Sequence, residues 1–556
     1  MLVNTVSYLL FIGILSLIRF KHRLDRIAAP LITAATVAVF YFFCLDMRIG
    51  AEAITTLVWD SSRSGDIKID IVSSVNNYRL IFPFFVITIL ALVNNLFFRY
   101  EQNKKSFSAI LVLNLLSLIM LITGNNLLQI ITFVFVTDIL SQLLIKDIYA
   151  SRRYSIYNLI ADMGLFLVMA MLKGKLETLE VTNMVHYYET GRHRDFIMFV
   201  IIISLFIKFG FFLFQSYLLD LKNTKFHRLI LIPYLSTPMV ALILFMKFYP
   251  LLVVSPSFDM CLNIAVVLTM VWGAIGTIVI NNLKEKTVYL NMLIIALLVK
   301  SVQNADFIWG AHFSLMLIFG FCINLCLYYA HYSVNRENNL HLIDSNKYVN
   351  RSLLNFDVFA YVLVSLAFLS QIAKINNNDQ YWIYLFTVLF VVASSHLYSQ
   401  LFVITRHQTK MPVLSYSPFV VLLLCITIAS FEIGKCKTFW ISSLVFCAIY
   451  LILIKLYPLR FIYQNSYLNT KLQKIDFFAH VYDIIIVRPV KIMGRLLTVL
   501  FDFIFIEKTL TAMLSSINAF TIRVFRKSVR HWKTYYFFNF ILAVAVLIWC
   551  FIKENK

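Results

Sequence analysis

Long apolar runs separated by short polar stretches dominate this chain. They lie near residues 2–18, 27–45, 78–98, 107–123, 127–145, 155–172, 197–219, 228–249, 259–280, 287–303, 307–330, 354–373, 381–404, 412–432, 438–456 and 535–552. Each approaches the roughly 20 apolar residues needed to cross a hydrocarbon core. Inside lipid every backbone N–H and C=O must be paired within the protein, which leaves helices or closed barrels, and these runs are too long for barrel strands. The pattern predicts an all-α polytopic membrane protein with about 16 transmembrane helices. Two stretches break it. Residues 59–77 alternate apolar and polar positions through Asp66, Ile67, Lys68, Ile69, Asp70 and Ile71, which predicts a short external β-hairpin. Residues 475–531 interleave apolar positions with Arg488, Lys491, Arg495, Lys508 and Arg523, which predicts an amphipathic helix along the membrane surface, interrupted at Pro489 or continuous.

Composition sharpens this picture. With 60% apolar and 14% charged residues, the chain is no soluble enzyme, disordered segment or fibre. The net charge of +21 resides mainly in loops: Arg19–Arg26, Arg99–Lys105, Arg152–Arg153, Lys222–Arg228, Lys284–Lys286, Arg336–Arg351 and Arg406–Lys410. All of these fall on one side if the N-terminus faces out, as cytoplasmic loops do. The partner implied is the anionic lipid bilayer, not nucleic acid. The first run lacks a basic leader and is followed by Arg19, Lys21, Arg23 and Arg26, so it reads as a retained first span. Eight cysteines include no CxxC pair, so neither a metal site nor a cofactor is expected.

Ionisable residues inside spans are costly, and each is a functional candidate by default. Asp138 lies in the fifth span with Thr137 and Gln142 nearby, Asp162 in the sixth, Lys208 in the seventh and His312 in the eleventh. Lys247 and Lys300 sit near span ends, where lysine side chains snorkel to the surface. Asp220, at the end of the seventh span, reads as interfacial. An aspartate and a lysine on neighbouring helices can serve a proton relay or a static packing pair, and pairing alone does not separate the two. The sequence carries no phosphate loop, nucleophile triad, haem pair or flavin motif, so no catalytic residue is assigned.

The stretch from Lys208 through Gln215, Tyr217 and Leu218 to Asp220 resembles the seventh-helix motif of subunit L (chain 5) of NADH-quinone oxidoreductase, the antiporter-like complex I subunit. Its relatives are the large subunits of Mrp-type cation/proton antiporters. Asn126-Leu127-Leu128 resembles that family's opening of helix 5, and Asp162 falls at its helix 6 aspartate with Leu176-Glu177-Thr178-Leu179 following. Gly65-Asp66-Ile67-Lys68-Ile69 resembles its external loop, and Tyr482-Asp483 with Val487-Arg488-Pro489 resembles the start of its lateral helix. The resemblance implies N-terminal spans over 1–105, a first antiporter-like half over 106–250 and a second, degenerate half over 251–433. It further implies a fifteenth span and connector over 434–474, a lateral helix over 475–531 and an anchoring span over 532–556.

The departures matter as much. The family's Trp and Glu in helix 5 are Val134 and Phe135 here, with Asp138 one turn further on the same face as a stand-in. Its helix 7 proline is Leu213, and its helix 8 histidine is Pro233. Its histidine, histidine and lysine in helix 11 are His312, Met316 and Gly320, and its helix 12 lysine has only Lys374 as a candidate. Without the prolines, unbroken helices are the expectation. The proton-path candidates carried forward are Asp162, Lys208, Asp138, His312 and Lys374. The resemblance implies a membrane subunit with no redox centre of its own, a degraded proton path and a largely structural role beside other membrane-arm subunits of complex I. The alternatives are an Mrp-type antiporter subunit and a non-conducting paralog. The implied location is a bacterial inner membrane, or else the mitochondrial one.

Overall fold

In the computed structural model the described residues are 2–17, 22–49, 53–59, 67–97, 104–145, 147–173, 194–252, 256–279, 283–304 and 310–335, with Phe390 and Ile492. The chain forms two compact units, Met1–Val58 with Lys68–Asn469, and Trp59–Ile67 with Thr470–Lys556. The helices below belong to the first. In the second, Trp59 ends a strand, Ile67 begins one, and Ile492 is an exposed helical residue.

Helices lie across each expected span up to 307–330: α1 (Leu2–Leu17), α2 (His22–Ile49), α3 (Val75–Phe97), α4 (Lys104–Thr123), α5 (Leu127–Leu144) and α6 (Ile148–Lys173). They continue as α7 (Arg194–Phe209), α8 (Ser216–Leu219), α9 (Phe226–Leu229), α10 (Ile232–Leu235), α11 (Thr237–Leu252), α12 (Pro256–Val279), α13 (Leu283–Asn304) and α14 (Gly310–Asn335). Among the described residues, seven segments are long and apolar enough to cross a membrane: Ala28–Met47, Val75–Leu96, Lys104–Thr123, Leu127–Leu144, Ile148–Leu172, Phe226–Tyr249 and Phe258–Thr277. The expected spans from 354 onward, the surface helix over 475–531 and the terminal span lie outside the described residues, apart from Phe390 and Ile492. Strands β1 (Ala53–Trp59) and β2 (Ile67–Ser73) pair as a two-stranded sheet. The first of them starts upstream of the alternating stretch because Ala53–Trp59 is itself apolar and β-branched.

Polar side chains set the helix ends. Asn126 caps α5, its side-chain oxygen accepting the Leu128 N–H at 3.0 Å, and the Asp147 carboxylate accepts the Ala150 N–H at 3.0 Å at the start of α6. The side-chain distribution is that of a bundle in lipid. Phe11, Leu31, Tyr41, Phe199 and Met260 are exposed, whereas Asn114, Asn158, Asp162, Lys208, Asn291 and Asn324 are buried. Apolar side chains gain nothing by leaving hydrocarbon, so packing and interhelical hydrogen bonds hold the helices together.

The seventh span corrects the expectation of an unbroken helix, and the eighth, which carries Pro233 and Pro238, is broken as well. α7 stops at Phe209, and the chain turns through residues 210–215 before α8 and a 3-10 turn at Asp220–Asn223. The eighth span is divided into α9, α10 and α11, with Ser236 extended at φ −128° and ψ −155° between the last two. No proline is needed in the seventh. Gly210 takes φ +64°, which is cheap only for glycine, and Leu213, at the family's proline position, takes φ +83°.

Candidate functional site

Three helices bring together charges that are far apart in sequence. α6 and α7 approach closely at Gly164, where an added Cβ would stand 2.3 Å from Ser204 Oγ. Small residues at such a crossing let backbones meet, and here they hold Asp162 level with Lys208 in the last turn of α7. The Lys208 ammonium is fully buried, 2.6 Å from Asp162 Oδ1, and donates to Asp138 Oδ2 at 2.7 Å. Asp138 therefore supplies a second carboxylate from α5. Phe135, at the family's glutamate position, instead packs against Phe166 with ring centroids 5.0 Å apart. With both carboxylates ionised the trio carries a net charge of −1, and one bound proton neutralises it.

The break beside Lys208 is stabilised locally. A helix end strands carbonyls, and burial makes that expensive. The Tyr217 hydroxyl, buried in α8, donates to the Lys208 carbonyl at 2.8 Å, and the Phe212 N–H donates to Thr269 Oγ1 at 3.0 Å. Irregular backbone thus stands directly beside a buried charge, as it does where it lines ion sites in transporters. On the far side of Asp138, Thr237 at the break in the eighth span donates to Asp138 Oδ1 at 3.0 Å and shares a hydrogen bond with the Tyr154 hydroxyl. The two breaks therefore flank the same carboxylate–lysine site.

Other charged candidates lie apart from this site. Asp220 pairs with Arg153 at 2.9 Å, with Arg153 substantially exposed. Lys300 is buried rather than snorkelling. It donates to Asn263 Oδ1 at 2.7 Å and to Gln303 Oε1 at 3.0 Å, and Gln303 reaches Asp259 at 3.3 Å. Lys247 likewise turns into the protein, donating to the Gly124 carbonyl at 2.5 Å. At both, an oxygen from another segment, the Asn263 side chain or the Gly124 carbonyl, accepts the ammonium. His312 belongs to α14, but its side chain is not described, and Lys374 lies outside the described residues. Among the described residues no group of three or more His, Cys, Asp and Glu side chains gathers as metal ligands would.

Sequence reasoning missed several buried polar groups. Arg228, counted with the loop charges, is buried, donates to the Leu144 carbonyl at 2.8 Å and sits over the Phe107 ring. Lys286, also counted as loop charge, is fully buried. Tyr234, Asn291 and Asn324 form a polar cluster in the bundle interior. Their only signal in sequence is a polar side chain inside an apolar run.

Residues 114–405 match the family described as "NADH:quinone oxidoreductase/Mrp antiporter, TM". That is more than half of the 556 residues. The chain belongs to this family. It is a divergent antiporter-like, multi-pass integral membrane protein. No curated protein sequence matches it. Among solved structures it is similar to a chain of the Mrp complex from Dietzia sp. DQ12-45-1b, with TM-score 0.64 and 13% identity over 90% of this chain and 62% of that one. It therefore spans about three fifths of that chain's length. It is also similar to a chain of the membrane-bound sulfane sulfur reductase, an archaeal respiratory membrane complex, with TM-score 0.69 and 11% identity over 94% of this chain and 99% of that one. At such identities the likeness is one of fold.

Proposed function

We propose that this antiporter-like subunit translocates protons as one membrane module of a larger respiratory assembly, with Asp138, Lys208 and Asp162 as the group that takes up and passes on charge. The observation that carries the reading is a fully buried lysine held between two carboxylates beside a helix break. A single static pair needs only one carboxylate. The second leaves room for one added proton without unbalancing the site, and it lets the ammonium favour either side. When Asp138 binds a proton, Lys208 is drawn to Asp162, and the reverse exchange resets the site. No redox centre is required for these steps, so electron transfer belongs to other subunits.

Within the family we assign the chain to the complex I side, as a divergent subunit L beside other membrane-arm subunits in a bacterial cell membrane. Similarity along nearly the full length of a chain from a respiratory membrane complex supports this. The second reading is an Mrp-type cation/proton antiporter subunit, which similarity to an Mrp-complex chain supports. Met316 and Gly320 stand where the family carries ionisable groups, so the second half is proposed to hold charge less well than the first.

Purification of the native assembly separates the two readings. Co-migration with NADH-oxidising subunits is expected, and recovery only with cation-antiporter subunits would favour the alternative. In liposomes containing the assembly, Lys208→Met should reduce proton translocation at least tenfold. Unchanged translocation would remove the trio from the mechanism.

A further inference from the structure

Arg228 is a buried cation outside the trio. It stands in the single turn of α9, at 3% exposure, where the broken eighth span begins. Its guanidinium donates to the Leu144 carbonyl at 2.8 Å, with the Leu143 carbonyl at 3.4 Å, and its central carbon lies 5.1 Å from the centre of the Phe107 ring on α4. Leu143 and Leu144 close α5, and the Ile145 N–H that follows turns back to the Gln142 carbonyl. The last carbonyls of a helix have no partner within it and carry the negative end of its dipole. The face of an aromatic ring is electron-rich as well. The guanidinium thus meets partial negative charge from two helices, which offsets part of the cost of burying it.

The same span meets α5 again at Thr237. The Thr237 hydroxyl donates to Asp138 Oδ1 at 3.0 Å, while Asp138 Oδ2 accepts from Lys208 at 2.7 Å. Thr237 therefore orients the carboxylate: with Oδ1 taken, Oδ2 is left for the ammonium. Leu144 follows Asp138 by about 9 Å along α5, at 1.5 Å per residue, so the span is pinned to α5 at two heights. The turns between the two pins stay linked. The Leu231 N–H donates to the Arg228 carbonyl at 3.1 Å and the Leu235 N–H to the Leu231 carbonyl at 3.0 Å, so a shift at Arg228 is carried to the residues beside Thr237. Asn114 on α4 donates to the Leu235 carbonyl, and Tyr154 on α6 meets Thr237; these tie the span to other helices, whereas Arg228 ties it to the backbone of α5 itself. A hydrogen bond of 3.0 Å fades beyond about 3.5 Å, so a slip of about 0.5 Å is enough to free Asp138 Oδ1.

We propose that Arg228 is a positioning residue for the trio: it fixes the broken eighth span against the end of α5 and so holds Thr237 on Asp138. The inference rests on the proposed translocation function and deepens it by naming a residue that acts on the site through another. Arginine suits this place because its planar donors reach carbonyls at the edge of the group while its face covers a ring; a lysine ammonium is a point charge that does not do both.

The test is a double-mutant cycle in the intact assembly. In liposomes, Arg228→Met and Thr237→Val should each lower proton flux about fivefold, and the double variant should fall no more than about twofold below the lower single. Independent effects would multiply to about 25-fold, and that result, or wild-type flux in Arg228→Met, overturns the proposal. Infrared difference spectra read the contact directly. The Asp138 carboxylate band, assigned by its loss in Asp138→Asn, should move in the same direction in Arg228→Met and in Thr237→Val, which a general loss of packing would not reproduce. A band unmoved in Arg228→Met overturns the proposal. Should Arg228→Met fail to assemble, Arg228→Lys takes its place: a smaller movement of the band in that direction is expected, and a wild-type band overturns the proposal. If Lys208→Met leaves flux unchanged, the translocation reading itself fails, and the infrared comparison alone then decides whether Arg228 positions Thr237.

Discussion

The sharpest expectation concerns how the two carboxylates share one lysine. Lys208 Nζ lies 2.7 Å from Asp138 and 2.6 Å from Asp162, so the two acidic oxygens stand within about 5 Å of each other. At an effective dielectric of about 20, each attraction is worth about 6 kcal/mol and the mutual repulsion about 3 kcal/mol. Replacing one aspartate by asparagine therefore removes an attraction and a repulsion together, and it also removes the cost of burying one charge. The expected net destabilisation is about 1–2 kcal/mol for Asp138→Asn or Asp162→Asn, at the low end for a charged hydrogen bond. The double replacement leaves a fully buried ammonium with neither carboxylate and should cost about 3–5 kcal/mol. The cycle should thus be non-additive by at least about 1 kcal/mol. SDS titration of the purified chain and its variants in mixed micelles measures these differences. If one single variant is as unstable as the double, Lys208 depends on one carboxylate, and the shared-charge argument is wrong.

Three further outcomes follow from the same geometry. Gly164→Val should push α6 from α7, because its first side-chain atom would stand 2.3 Å from Ser204 Oγ; a loss of about 1–3 kcal/mol, partly recovered by Ser204→Ala, is expected in the same titration. Gly210→Ala should cost about 1–2 kcal/mol or more, since φ is +64° and the new Cβ would stand 2.3 Å from Leu218 Cδ1, and Leu218→Ala should restore only the steric part. Arg153→Ala should change stability by no more than about 1 kcal/mol and leave proton flux near wild type, because its pair with Asp220 is substantially exposed and remote from the trio.

Some of the site was legible without coordinates. Asp162 and Lys208 stand out because a charge in the middle of an apolar run has few places to go in lipid. Asp138 could be named as a stand-in because one helical turn keeps a residue on the same face. Other features were hidden. In the eighth span Pro233 and Pro238 mark the broken helix, but the break in the seventh was not expected, because that span carries no proline, the usual sequence mark of one. Gly210 with a hydroxyl from Tyr217 and another from Thr269 does the same work, and those partners come from other segments. Lys300 and Arg228 were assigned to surfaces because a cation near a span end usually reaches water; each finds an acceptor on a neighbouring helix instead.

Hydropathy by itself determined that this chain is a polytopic helical membrane protein, because the requirement to satisfy every backbone group in lipid acts on each segment separately. Sequence also determined which side chains are too polar to face lipid. Tertiary structure alone decided which of them meet. Asp138, Asp162 and Lys208 come from three helices, and their contact depends on how those helices pack, with Gly164 against Ser204 at the crossing that carries Asp162 and Lys208. A hydrophobic pattern says that a residue turns inward; only packing says what it finds there.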